Sequence, residues 1–163
     1  MTEQRSREAV LAQLEQKTAH YTQLSSNCAQ ATFAALQEQF GLDGGPILKA
    51  LTPFPGIALR CETCGVVSGC MMALGLVFGR DRMDDRPGMQ AALIPAMRFC
   101  QRFVHDAGST QCGELLEARF GKRFNFADPA QAAEYRASGG LEKCSAIARQ
   151  AVRIAGEIIM DRA

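Results

Sequence analysis

The residues with the most chemistry in this sequence are its cysteines, seven in 163 positions. Cys61 and Cys64 form a Cys-x-x-Cys, a spacing that suits a dithiol or a pair of metal ligands. Cys28 follows Ser25-Ser26-Asn27, Cys112 lies three residues after Ser109, and Cys144 follows Gly139-Gly140-Leu141-Glu142-Lys143. Cys64 itself follows Thr63. Ser, Thr, Asn and Gly are the residues that start helices, so Cys28, Cys64, Cys112 and Cys144 each fall in the first turn or so of an expected helix. A helix start carries about half a positive charge and up to four free N–H groups. Both favour thiolate over thiol, so the expectation is lowered cysteine pKa values at these four positions. Thiolate is the form that ligates metal and attacks disulfides. If the fold brings the four helix starts together, they can hold one anionic centre, of which an iron–sulfur cluster is an example.

The elements that must do this are helical. Val10, Leu11, Leu14, Tyr21 and Leu24 mark one face of a first helix, with Thr18 a weak point in the stripe. A second helix carries Phe33, Leu36 and Phe40 and stops at Gly41. Pro46 fits the first turn of a short third helix that must end before Pro53, and the segment from Phe54 to Cys64 reads as a loop. A fourth helix, capped by Thr63 and ending near Gly79, is apolar on all sides and should lie at the centre of the fold. Along it Gly65, Gly69 and Ala73 recur every four residues, which lets a neighbouring backbone come close to the site. Pro87 starts a fifth helix with Leu93, Met97, Cys100 and Val104 on its stripe and Pro95 inside. Ser109 caps a sixth, which ends at Gly121. A short helix follows Pro129, and a last one carries Cys144, Ile147, Ala151, Ile154 and Ile158 on one face. No alternating strand or internal repeat is present. The expected fold is a compact all-α bundle of six to seven helices in a single domain over residues 1–163.

Composition narrows the function. A chain that is 47% hydrophobic and 21% charged, with formal net charge +1, is globular and has no electrostatic footprint for nucleic acid. The N-terminus is charged and lacks the apolar stretch of a signal peptide. The longest uncharged run, Gly65 to Gly79, is shorter than the roughly 20 residues of a membrane span. The expected location is therefore cytoplasmic, where thiols stay reduced and cysteines serve metal binding or redox chemistry. Gly65 after Cys64 excludes c-type haem attachment at this site. The missing βαβ pattern argues against thioredoxin, and a zinc ribbon would need a second close pair. Helical disulfide reductases related to the alkylhydroperoxidase accessory protein carry His where this chain has Ser68. Cys70 and Cys100 read as core, as do the methionines, Met71-Met72 included. His20, His105 and the loop arginines Arg80, Arg82 and Arg86 read as solvated.

The run Cys64-Gly65-Val66-Val67-Ser68-Gly69, followed by Met72-Ala73-Leu74-Gly75-Leu76, resembles the motif for which the C_GCAxxG_C_C family is named. Asn27-Cys28-Ala29-Gln30-Ala31, Gly108-Ser109-Thr110-Gln111-Cys112-Gly113-Glu114-Leu115-Leu116 and Cys144 resemble its other signatures, in the same order. Val66 stands where the motif has alanine, and Cys61 and Cys70 are additions. The resemblance implies redox activity and maps the family's four cysteines onto Cys28, Cys64, Cys112 and Cys144. The family is similar to the helical, dimeric domain of split-Soret cytochrome c, which implies an iron–sulfur cluster and opens a homodimer and a redox partner protein. The haem part does not carry over. Beside this reading stand two others. One is a thiol–disulfide oxidoreductase with Cys64 as nucleophile and Cys61 as its resolving partner. The other is a zinc or copper site on the same thiolates; a helical accessory protein with inert cysteines and no cofactor is the bland alternative to all of these.

Overall fold

A computed structural model describes residues 2–162, with side chains from residue 6 onward. In chain order the helices are α1 Thr2–Ser25, α2 Cys28–Phe40, α3 Gly45–Ala50, α4 Gly56–Leu59, α5 Gly65–Phe78, α6 Arg86–Ala107, α7 Cys112–Phe120, α8 Pro129–Ala137 and α9 Gly140–Met160. Among the described residues there is no strand, only an isolated antiparallel bridge between Thr63 and Gln111. The fold is all-α. No helix among the described residues is long and apolar enough to cross a membrane.

Most boundaries follow local chemistry. Asn27 Oδ1 accepts a hydrogen bond from the Gln30 N–H (3.0 Å) and starts α2. Asp85 and Asp128 accept from Gly88 and Ala130 (both 2.9 Å) and start α6 and α8, each with proline in the first turn. Gly41, Gly108 and Gly121 end α2, α6 and α7 in the left-handed conformation.

Tertiary packing selects which faces are buried. Helix α1 lies against α2 and α9, and α5 is held by α2, α9 and α6. On α1 the buried line is Leu11, Leu14, Thr18 and Thr22, while Leu24 is 71% exposed. Thr18 is no weak point, because its hydroxyl donates to the Leu14 carbonyl and that of Thr22 donates to the Thr18 carbonyl, both at 2.8 Å. A satisfied hydroxyl can be buried at little cost. On α6 the expected stripe is wrong: Leu93, Met97 and Val104 are exposed and Cys100 is half-buried. The buried face is Phe99 and Phe103, stacked with ring centroids 5.8 Å apart. Each phenyl ring brings a larger apolar surface than any one member of the competing stripe, and the two stack on each other. Arg98 and Arg102, next to them in sequence, reach Asp161 (3.2 Å) and Glu157 (2.5 Å) and fix the helix in that rotation. Met83, Met89 and Met97 are likewise exposed rather than core.

Helix α5 is buried over its first half, but Met72, Gly75 and Leu76 face outward, so it is not enclosed on all sides. Its Gly65 and Gly69 face α2. A Cβ on Gly69 would stand 2.1 Å from Thr32 Oγ1 and 2.3 Å from the Ala29 carbonyl oxygen. The two helices touch backbone to backbone there.

The segment expected to be a plain loop contains α4, a left-handed turn. Gly56, Ile57, Ala58 and Leu59 have φ of 54°, 50°, 55° and 62°, and Cys61 has φ of 60°. For L-residues this costs roughly 1–2 kcal/mol each, so surrounding structure must hold it. The Ala58 and Leu59 N–H groups bond the Pro53 and Pro55 carbonyls at 2.7 and 2.8 Å, and Glu62 N–H bonds the Gly56 carbonyl at 3.1 Å.

Candidate metal and thiol centre

The cysteines arrive from separate elements. Cys28 is the first residue of α2, and the Asn27 side chain also donates to the Thr52 carbonyl (3.0 Å), tying this helix start to the end of α3. Cys64, rather than Thr63, is the N-cap of α5; Thr63 is occupied by its bridge to Gln111. Cys112 opens α7 behind Gln111, so the expected cap at Ser109 is displaced. The Ser109 hydroxyl instead accepts from the Gln111 N–H (2.9 Å) and donates to the Glu114 carboxylate. Cys144 is the fifth residue of α9, just past its first turn. The 61–64 and 110–113 segments are laced together: Cys64 N–H donates to the Thr110 carbonyl (2.8 Å), Cys112 N–H to that of Glu62 (2.7 Å), and Gly113 N–H to that of Cys61 (2.9 Å).

These segments surround one cavity of about 110 Å³, whose walls include Cys28, Cys61, Cys112, Cys144, Gly56 and Tyr135. Cys64 is buried within charge-interaction range of Cys28, Cys112 and Cys144. Glycines make room for the sulfurs. A Cβ on Gly65 would lie 2.6 Å from Cys28 Sγ, and one on Gly56 would lie 3.4 Å from Cys112 Sγ. Gly69, the other glycine singled out by its spacing, packs on α2 and not on the cavity. Cys70 is fully buried core, as its apolar surroundings in the sequence suggest.

The expectation of lowered thiol pKa values is overturned. Burial pushes all four helix-start thiols up, Cys64 to about 11. Mutual repulsion adds to this at Cys28, Cys64 and Cys112. The amides of Cys28 and Ala29 favour the Cys28 thiolate, and those of Val66 and Val67 favour that of Cys64. Loss of water outweighs them, because a thiolate in an apolar wall has lost more solvation than two N–H groups return. Burial also raises Cys61, against the opposing influence of Cys112 and Arg123. Metal-free thiols here keep their protons at neutral pH, and a cation entering the site must displace them.

Sequence reasoning missed Tyr135. Its hydroxyl donates to Cys144 Sγ at 3.0 Å. Its ring lies among Phe120, Phe124 and Phe126, with centroid separations of 5.8, 5.6 and 5.1 Å. It also lies against Gly140, where a Cβ would be 2.3 Å from the ring. One signal was available: a tyrosine on a short helix beside Gly139-Gly140 needs a hydrogen-bond partner when buried. Arg119 is a second group missed, a cation that favours the thiolates of both Cys64 and Cys144.

The Cys61 sulfur donates to the Phe124 carbonyl (3.3 Å), and Cys61 shares the cavity wall with Cys112. Among the described residues no three His, Cys, Asp or Glu side chains are already drawn together as ligands of a single metal ion. Cys28, Cys61, Cys112 and Cys144 line the cavity rather than meet at a point, and Cys64 is buried off its wall.

Fold and site together define an all-helical protein with a thiol-lined pocket built from helix starts. Residues 26–158 match the family described as "Putative redox-active protein (C_GCAxxG_C_C)", and the chain belongs to that family. Comparison with curated proteins and with solved structures gives no match.

Proposed function

We propose that this redox-active family member holds an iron–sulfur cluster through Cys28, Cys64, Cys112 and Cys144 and serves electron transfer or redox sensing. The observation that carries the reading is that Cys28, Cys112 and Cys144, from three different helices, line one cavity, with Cys64, the cap of a fourth, buried within charge-interaction range of them. The donor set fits such a group. Iron–sulfur clusters take four thiolates spread over two or more iron atoms, so they suit a wall of separated thiols. The cavity is several times the roughly 10–15 Å³ that one water needs on the same measure. A single zinc or copper ion would require the thiols to move inward to one coordination sphere, which makes the mononuclear reading the weaker one. A bound cluster would supply an electron couple. The protein's own part is to exclude water with the Phe120, Phe124 and Phe126 rings and to aim backbone amides at the Cys28 and Cys64 sulfurs. Arg119 offsets anionic charge, and Tyr135 donates to Cys144. Gly65 leaves the space that the Cys28 sulfur needs.

Anaerobically purified and reconstituted protein tests this by iron and sulfide content with visible and EPR spectra. Stoichiometric iron and sulfide are expected, and colourless, iron-free protein after reconstitution would overturn the reading. Tyr135→Phe gives a finer readout. A hydrogen bond to a thiolate ligand favours the reduced state, because it spreads the added negative charge. Removing about 1 kcal/mol of such preference lowers a one-electron midpoint potential by roughly 40 mV. The variant should therefore keep its iron and titrate at a more negative potential. An unchanged potential would remove Tyr135 from this role.

A further inference from the structure

Cys61 is the one thiol on the cavity that the four-ligand reading leaves unused, and its backbone is the most unusual of the seven. In the antiparallel contact Thr63 stands opposite Gln111, which places Glu62 opposite Cys112 and Cys61 one step out of register. Neighbouring positions of an extended pair point to opposite faces, so regular backbone would send the Cys61 and Cys112 sulfurs apart. The left-handed conformation of Cys61 (φ 60°), at the end of the left-handed Gly56–Leu59 turn, re-aims its side chain. Both residues now line the same cavity, and a Cβ placed on Gly56 would stand 3.3 Å from Cys61 Cα and 3.4 Å from Cys112 Sγ, so the two meet over that glycine. The room for this is prepared: a Cβ on Gly113 would stand 3.4 Å from the Cys61 Cβ.

We propose that Cys61 and Cys112 are a reversible dithiol/disulfide pair, and that its formation closes the thiol centre by withdrawing Cys112. The oxidant is a small-molecule disulfide. The Cys61 thiol, the less buried of the two, gives up its proton as its sulfur attacks one sulfur of the oxidant. A mixed disulfide forms and one small thiol leaves with the proton. Cys112 then attacks the Cys61 sulfur, forming the Cys61–Cys112 bond and releasing the second small thiol. Two electrons and two protons pass from the protein to the oxidant, and a reducing thiol reverses the sequence. The pairing differs from the Cys61–Cys64 dithiol that the Cys-x-x-Cys spacing suggests. The disulfide itself does not require the cluster; only its consequence, competition for Cys112, rests on the reading above.

The test uses metal-free full-length protein equilibrated with oxidised and reduced glutathione, then alkylated and mapped by peptide mass without reduction. The expected product is a Cys61–Cys112 linked peptide pair, two hydrogens lighter than the sum, that disappears with reductant. Cys64→Ala should retain it, Cys61→Ser should lose it, and Cys100→Ser should leave it unchanged. A dominant Cys61–Cys64 linkage, or only glutathione adducts in protein shown to be folded by circular dichroism, overturns the proposal. Iron uptake is scored separately. Linked protein should take up less than a tenth of the iron of reduced protein, with recovery on reduction, and equal uptake by linked and reduced protein overturns the closure. If the linked pair forms and reduced protein also takes no iron, the cluster reading falls and the disulfide stands.

Discussion

Gly69→Ala should cost about 3 kcal/mol or more of stability, and lower the melting temperature by roughly 6–12 °C for a chain of this size. The added methyl carbon would lie 2.3 Å from the Ala29 carbonyl oxygen and 2.1 Å from Thr32 Oγ1. Thr32 cannot simply rotate away, since its hydroxyl is bonded to the Cys28 (2.9 Å) and Ala29 (3.1 Å) carbonyls. The Ala29 oxygen is helix backbone, so α2 and α5 must separate. That separation spreads to the site, because Cys28 starts the one helix and Cys64 caps the other. Gly75→Ala is the matched control on the same helix. Its Cβ would meet nothing within 4 Å, and Gly75 is exposed. It should therefore stabilise by about 0.5–1 kcal/mol through helix propensity alone. Thermal or denaturant unfolding of the two variants decides the point. Equal behaviour would mean that α2 and α5 do not touch as described.

Cys112→Ser should reduce bound iron and sulfide to a tenth or less of the wild-type content after anaerobic reconstitution, while Cys61→Ser keeps most of it. Serine preserves the shape of the side chain but not the soft thiolate donor that iron–sulfur clusters require. Cys112 opens α7 and forms part of the cavity wall, and its amide is already committed to the Glu62 carbonyl. The backbone is thus held in place and only the ligand changes. Cys61 sits in the left-handed segment outside the four helix starts, so its loss leaves all four proposed ligands intact. Iron retained by Cys112→Ser, or lost equally in both variants, would count against the assignment of ligands. Circular dichroism of each variant separates loss of ligand from loss of fold.

The sequence by itself determined the long helices and, to within a few residues, where they begin, although the caps expected at Thr63 and Ser109 fall at Cys64 and Gln111. Asn27, Asp85 and Asp128 have side chains that reach their own backbone two or three residues on, and Gly41, Gly108 and Gly121 permit the left-handed stop. These are local interactions, so they are legible without knowing what lies across the fold. For the same reason the sequence placed Cys28, Cys64 and Cys112 at helix starts, with Cys64 as the cap itself rather than the residue after it. What it could not decide were quantities set by distant residues. The rotation of α6 depends on Phe99 and Phe103 reaching the core and on arginine contacts to α9, so its stripe was misjudged. The thiol pKa values depend on how much water the assembled helices expel, and burial reversed the direction that an isolated helix start would give. Tyr135 meets Cys144 only because α8 packs on α9. Cys61 reaches the cavity wall it shares with Cys112 through a left-handed backbone that no local preference would select. Caps and stops are interactions over a few residues; burial, charge coupling and partner choice are sums over the whole fold, and only the tertiary structure contains them.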